Sequence, residues 1–133
     1  EKAANEGEKK RMNRLLGRWR RGGRYLLRRV QKRREAAVKL KNDMISVFRA
    51  AGTLDNYSGN LADLDRELNE SKNAEDNYTN ALVRYDTLRR GQAESAEISE
   101  AVSKLDGAYS GLQTALVQLE REFKECQVLL KRA

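Results

Sequence analysis

The sequence predicts an all-α protein, an elongated antiparallel three-helix bundle or coiled coil with a basic N-terminal extension. Its 133 residues contain no proline, which breaks helix interiors at a cost of roughly 3 kcal/mol. Apolar residues make up 39% and charged residues 35% of the chain, a balance too polar for a thick globular core. Apolar residues nevertheless recur every three or four positions, as they do along the seam between packed helices.

The last predicted helix, residues 94–131, has the most regular seam. Cys126 occupies one position of that seam and is predicted to be a small buried side chain. A single cysteine excludes an internal disulfide and fits a reducing compartment, so we expect an intracellular protein of the cytoplasm or nucleus. The apolar residues of this seam follow one another without a break: Ile98, Val102, Leu105, Tyr109, Leu112, Leu116, Leu119, Phe123, Cys126 and Leu130.

Two earlier segments repeat the pattern less perfectly. In residues 57–90, Ser71 and Glu75 interrupt the seam, which either fixes the register or marks where the third helix swings away. Residues 15–51 form the first predicted helix, and its seam is weaker because Gly23 and Arg33 fall in it. Dimerisation through these seams is therefore an open alternative.

Short joins near Gly52 and Gly91 separate the three helices. Such joins make consecutive helices run antiparallel, which gives an up-down-up rod over residues 15–133. A helical hairpin of residues 57–131, with the first helix departing from it, is the rival arrangement. Residues 1–14 are predicted to be a basic, mobile overhang.

Positive charge is concentrated in one segment. No acidic residue occurs between Glu8 and Glu35, although the whole chain carries a net charge of only +7. Arginine predominates there, and its planar guanidinium grips phosphate or carboxylate in bidentate fashion. The segment predicts a polyanion-binding site, with a merely solvated and partly ion-paired helix face as the alternative. Its cations are Lys9, Lys10, Arg11, Arg14, Arg18, Arg20, Arg21, Arg24, Arg28, Arg29, Lys32, Arg33 and Arg34.

Two aromatic residues and two glycines lie within this segment. Tyr25 is off the seam and is a candidate for stacking on bases, whereas Trp19 falls on the seam and fits the core better than a contact with a ligand. Gly22 and Gly23 predict a hinge, since two glycines inside a helix cost on the order of 2 kcal/mol relative to alanine. A close helix crossing at these small residues is the alternative.

The sequence lacks the residues and motifs of common enzymes. It has no histidine, no phosphate-binding glycine loop and no pair of cysteines, so we expect neither catalysis nor a cofactor or metal. We expect instead a helical scaffold that binds nucleic acid through its arginines. An adaptor on anionic membranes or microtubules is the second interpretation, and a structural subunit of a larger assembly is the third.

Overall fold

The computed structural model describes residues 6–133, and within them it confirms the all-α prediction. The first helix, α1, spans Glu6–Ala50 and is followed by a short 3-10 helix, Leu54–Tyr57. The other two helices are α2, Ser58–Arg90, and α3, Ser95–Lys131. At 1.5 Å per residue, α1, α2 and α3 are about 68, 50 and 56 Å long. The part of the chain described contains no strand.

The three helices pack up, down and up around a shared core. Phe48 near the end of α1 stacks on Tyr57 just before α2, and Lys41 pairs with Asp65, so these two helices run antiparallel. Gly22 of α1 lies beside Tyr109 of α3, and eleven residues further along, Arg33 pairs with Glu120, so α1 and α3 run parallel. The rival hairpin with a departing first helix does not describe this structure.

The first helix begins earlier than its seam predicts. Residues 1–14 were expected to form a mobile overhang, but α1 is helical from Glu6, and Met12 is buried in the core. The hydroxyl of Tyr85 on α2 donates a hydrogen bond of 3.1 Å to the carbonyl oxygen of Met12. This contact, together with the apolar surroundings of Met12, holds the start of α1 against α2. Residues 1–5 of the predicted overhang lie outside the described residues.

A polar layer divides the core into two apolar clusters. One cluster contains Val30 and lies towards the start of α1, whereas the other contains Ala37 and lies towards its end. Between them Arg34 pairs with Glu75 at 2.6 Å, and Arg33 pairs with Glu120 at 2.7 Å. A polar layer of this kind fixes the register of packed helices, because a shift would bury its charges without partners.

The two glycines predicted as a hinge lie inside an unbroken helix. Gly23 is buried, and a Cβ atom at its position would lie only 1.9 Å from the hydroxyl oxygen of Tyr78. That hydroxyl donates a hydrogen bond of 2.7 Å to the carbonyl oxygen of Trp19. The structure therefore shows the alternative arrangement at this point, a close crossing of α1 and α2 that the missing side chain permits.

Replacing the two glycines one at a time tests this crossing. Gly23→Ala should lower the free energy of unfolding by about 1–3 kcal/mol, because Tyr78 is fully buried and cannot move aside. Gly22→Ala is the matched control. Its Cβ would lie 3.0 Å from the hydroxyl of half-buried Tyr109, which can shift, so the gain in helix propensity of up to about 1 kcal/mol should prevail.

Thermal unfolding followed by circular dichroism measures both effects. We expect the melting temperature to fall for Gly23→Ala and to stay level or rise for Gly22→Ala. A rise for both variants would contradict the close crossing and favour a hinge.

Candidate polyanion-binding surface

Ten of the thirteen predicted cations are exposed on α1. None of the ten forms an ion pair with another residue in the described range, 6–133. We call these ten residues the basic face: Lys9, Lys10, Arg11, Arg14, Arg18, Arg21, Arg24, Arg28, Arg29 and Lys32.

Seven residues of the basic face form a straight central stripe. They follow one another at intervals of three or four residues, which places them along one side of a helix. The stripe runs over 23 residues, and its two ends are about 33 Å apart at 1.5 Å per residue. Its members are Lys10, Arg14, Arg18, Arg21, Arg24, Arg28 and Lys32.

The stripe points away from the bundle because the opposite side of α1 is apolar and packed. The core side of this half of α1 consists of buried residues spaced three and four apart, and two of them, Leu16 and Val30, are at most 3% exposed. Hydrophobic burial therefore fixes the rotation of α1 about its axis and leaves the cations in water. The buried residues of this side are Met12, Leu16, Trp19, Gly23, Leu26 and Val30.

Three of the predicted site residues instead form ion pairs with acidic residues of the neighbouring helices. Arg33 pairs with Glu120 of α3 and also lies over the ring of Phe123, with its guanidinium carbon 4.3 Å from the ring centre. Arg34 pairs with Glu75 of α2. The side chains of these two arginines point towards the neighbouring helices and form ion pairs with acidic residues there. The polyanion-binding prediction thus divides into ten available cations and three structural ones.

Arg20 is the third structural cation, and its partner was not predicted. Asp86 of α2 forms an ion pair with Arg20 at 2.9 Å, and it also pairs with Arg89 and Arg90 of its own helix, at 2.9 and 3.2 Å. The sequence places Asp86 three and four residues before Arg89 and Arg90, which is the spacing of ion pairs on a helix. That spacing could have identified Asp86 as an acceptor, but the approach of Arg20 depends on how α1 and α2 pack.

The surroundings of Asp86 favour its ionised form. Desolvation alone would raise its pKa, but the hydrogen bond from Arg89 and the charges of Arg20 and Arg90 outweigh it and lower the pKa of Asp86. Positive charge accumulates where Arg20 of α1 approaches Arg89 and Arg90 of α2. Asp86 relieves part of that repulsion and so helps to hold the basic half of α1 against α2.

The two aromatic residues of the segment have different environments. Trp19 is 5% exposed and meets the ring of Tyr85 edge-on, with 5.5 Å between the ring centres. It belongs to the core, as its position on the seam predicts, and cannot stack on a ligand while α1 is packed. Tyr25 is 67% exposed, and the guanidinium of Arg29 lies 5.8 Å from its ring centre. Only Tyr25 therefore offers an aromatic ring to a partner on this surface.

Residues 6–133 show no arrangement suited to metal binding, thiol chemistry or membrane spanning. No group of three or more potential ligand side chains is placed to hold a metal ion. Cys126 is fully buried, and burial together with nearby Glu122, Glu125 and Asp63 raises its pKa to about 11, so the thiol is neutral and unreactive. No helix in this range combines the length and the apolar character needed to cross a membrane.

No protein-family model, curated protein sequence or solved structure matches this chain. What the basic face binds is therefore inferred from its own geometry and charge.

Substitution of Asp86 tests its role between the arginines. Asp86→Asn should lower the free energy of unfolding by about 1 kcal/mol at neutral pH, a modest value because Arg20 and Arg90 are partly exposed and water screens them. The pKa of Asp86 lies below its ordinary value of 3.8, so its stabilising effect is present above that pH. The effect disappears as the pH falls through the folded-state value.

Denaturant unfolding at several pH values measures this difference between wild type and variant. Asp76→Asn is the control, since Asp76 pairs with Lys72 on the surface and should contribute less than about 0.5 kcal/mol. A difference for Asp86→Asn that persists under strongly acidic conditions would show that its stabilising effect is not electrostatic.

Proposed function

We propose that this protein is a non-enzymatic helical scaffold that binds nucleic acid through the basic face of α1. The observation that carries the proposal is the set of ten exposed cations that form no ion pair with any of residues 6–133. Such a concentration of positive charge on one side of a rod attracts polyanions over long distances and binds them with strong salt dependence. The three packed helices serve as the scaffold, and the seams predicted to form a coiled coil would let the rod act as a spacer.

Length and chemistry both fit a duplex. The central stripe is about 33 Å long, close to the 34–36 Å of one helical turn of DNA. The stripe is straight and lies on the outside of a packed bundle, so its arginines would meet phosphates along one side of the duplex. Contacts of this kind position a protein without reading sequence, and we propose sequence-independent binding.

The packing of α1 favours nucleic acid over a membrane surface. Helices that bind at a lipid interface insert an apolar face among the acyl chains. In α1 that face is occupied: Met12, Leu16 and Leu26 are buried against α2 and α3. The outward side offers cations and Tyr25, whose ring can stack on a base beside the guanidinium of Arg29. An intracellular location, in the cytoplasm or nucleus, is part of this proposal.

A matched pair of variants tests the proposal. Changing Arg18, Arg21, Arg24 and Arg28 to glutamine removes four exposed cations of the stripe and should abolish or strongly weaken binding to a fluorescent duplex. Because each phosphate contact contributes about −0.9 to the slope of log K against log salt, the slope should become less negative by up to about 3–4. Fluorescence anisotropy at several salt concentrations provides both quantities.

The control variant changes Arg20, Arg33 and Arg34 to glutamine. These three arginines are ion-paired with acidic residues of α2 and α3, so their loss should lower thermal stability and leave the salt slope nearly unchanged. Circular dichroism should show that the stripe variant remains as helical as the wild type. Equal loss of binding in both variants, or undiminished binding in the stripe variant, would contradict the proposed surface.

A further inference from the structure

A concentration of negative charge lies on the side of the bundle away from α1. We call it the acidic face. Its side chains are close enough to act on one another: burial and then Glu125, Asp63 and Glu67 raise the pKa of Glu122. One cation, Arg66, reaches two of its carboxylates, at 3.2 Å from Asp63 and 3.5 Å from Glu67. The acidic face consists of Asp63, Glu67 and Glu70 of α2 and Glu122 and Glu125 of α3.

One oxygen of each of two carboxylates on this face lacks a hydrogen-bond donor. Glu67 is only 6% exposed, and its Oε2 atom is buried without a partner. The Oε2 atom of Glu122 on the facing helix is likewise buried and unpartnered. A buried carboxylate oxygen without a donor is costly, and a cationic donor brought by a partner would relieve that cost. The excess of negative charge and the carboxylate oxygens without donors point to the same kind of ligand, a guanidinium or ammonium group.

A groove between α2 and α3 lies beyond the acidic face, from Ala74 on α2 and Gly111 on α3 towards the other end of the rod. It has a volume of about 490 Å³ and small side chains on both walls, including Ala74, Ala81, Ala108 and Gly111. Arg84 and Lys104 line the far part of the groove, so a basic helix would be repelled there and drawn towards the acidic face.

We propose that the acidic face binds the basic face of a second copy of this chain. The basic face carries ten cations on the outside of α1, and the acidic face lies on the opposite side of the same bundle between α2 and α3. The two surfaces are complementary in charge, and both are helical and elongated. Electrostatic complementarity of this kind steers association and fixes its orientation.

The positions of the two surfaces along the rod predict a staggered contact. Gly22 lies beside Tyr109 and Arg33 pairs with Glu120, so Glu122 of α3 is level with Glu35 of α1. Lys41 pairs with Asp65, so Glu67 of α2 is level with about Lys39 of α1. The acidic face is thus centred roughly 17 residues beyond Arg21, the centre of the stripe, or about 25 Å along the axis. Two parallel copies would therefore associate with a shift of about that length, which also moves the stripe away from Lys104.

The contact joins two different surfaces, so each copy keeps one of each free. Such a heterologous interface does not close on a dimer and can add further copies in an open row. Nucleic acid and the acidic face would compete for the same arginines. We therefore expect a polyanion to dissociate the assembled copies, so the assembly of the rod depends on its proposed ligand.

Sedimentation velocity at low and high salt tests the self-association. At about 50 mM salt the wild type should sediment faster as its concentration rises, and at about 500 mM salt it should be monomeric, because salt screens the contact. The variant Glu70→Lys/Glu125→Lys, which reverses two exposed residues of the acidic face, should stay monomeric at low salt. Glu97→Lys/Asp55→Lys changes the same charge on exposed acids outside this face and should associate like the wild type.

A charge-swap experiment identifies the two surfaces as partners. Arg21→Glu/Arg28→Glu reverses the middle of the stripe and should be monomeric alone, like Glu70→Lys/Glu125→Lys. Mixing the two variants should restore association. The intact basic face of Glu70→Lys/Glu125→Lys can then bind the intact acidic face of Arg21→Glu/Arg28→Glu. Wild-type protein that is monomeric at low salt, or a mixture that fails to associate, would overturn the proposal.

Duplex binding separates this result from the proposed function. The variant Glu70→Lys/Glu125→Lys keeps the whole basic face and should bind duplex DNA at least as tightly as the wild type. Failure of self-association with intact duplex binding would overturn the copy-to-copy contact alone, and loss of duplex binding by the wild type would overturn only the nucleic-acid proposal.

Discussion

Two tyrosine hydroxyls of α2 hold α1 in the orientation that the burial of its apolar side selects. Tyr78 lies in the space that Gly23 leaves open and donates its hydroxyl hydrogen to the carbonyl oxygen of Trp19, and Tyr85 does the same for Met12. Each carbonyl has a second lone pair available beyond its helical hydrogen bond. Because both bonds are buried, breaking either would leave polar groups unpaired at a cost of about 1–3 kcal/mol. Desolvation raises the pKa of Tyr78 to about 12, so its hydroxyl keeps the proton that it donates.

Because α1 is fixed in this way, its arginines fall into two groups with different roles. Arg20, Arg33 and Arg34 point at acidic groups on the neighbouring helices and stabilise the packing. Cations on the outer side of α1 meet no acidic residue within the described chain, so their charge remains available. The polar layer at Arg33 and Arg34 also prevents α1 from sliding along the other helices, which would mix the two groups. A rigid rod with one basic side is the consequence.

The sequence predicts much of this architecture because helix seams are local patterns. The ends of α2 and α3 lie within one residue of the predicted positions. The start of α1 was misplaced because the partner that buries Met12, Tyr85, is 73 residues away in the chain. Gly22 and Gly23 have a low helix propensity, and only the position of Tyr78 shows that a small residue is needed at 23. Likewise the list of arginines is evident from sequence, whereas their division into paired and available ones depends on helix rotation.

The central claim is that α1 binds its polyanion while it remains packed in the bundle. Trp19 reports this directly, because it is the single tryptophan and is buried against Tyr85. Its fluorescence emission maximum should be measured with and without saturating duplex DNA, with saturation established by anisotropy. The account predicts an emission maximum typical of a buried indole that does not change on binding. A shift to the emission of a water-exposed indole would show that α1 leaves the bundle to bind, and would contradict the account.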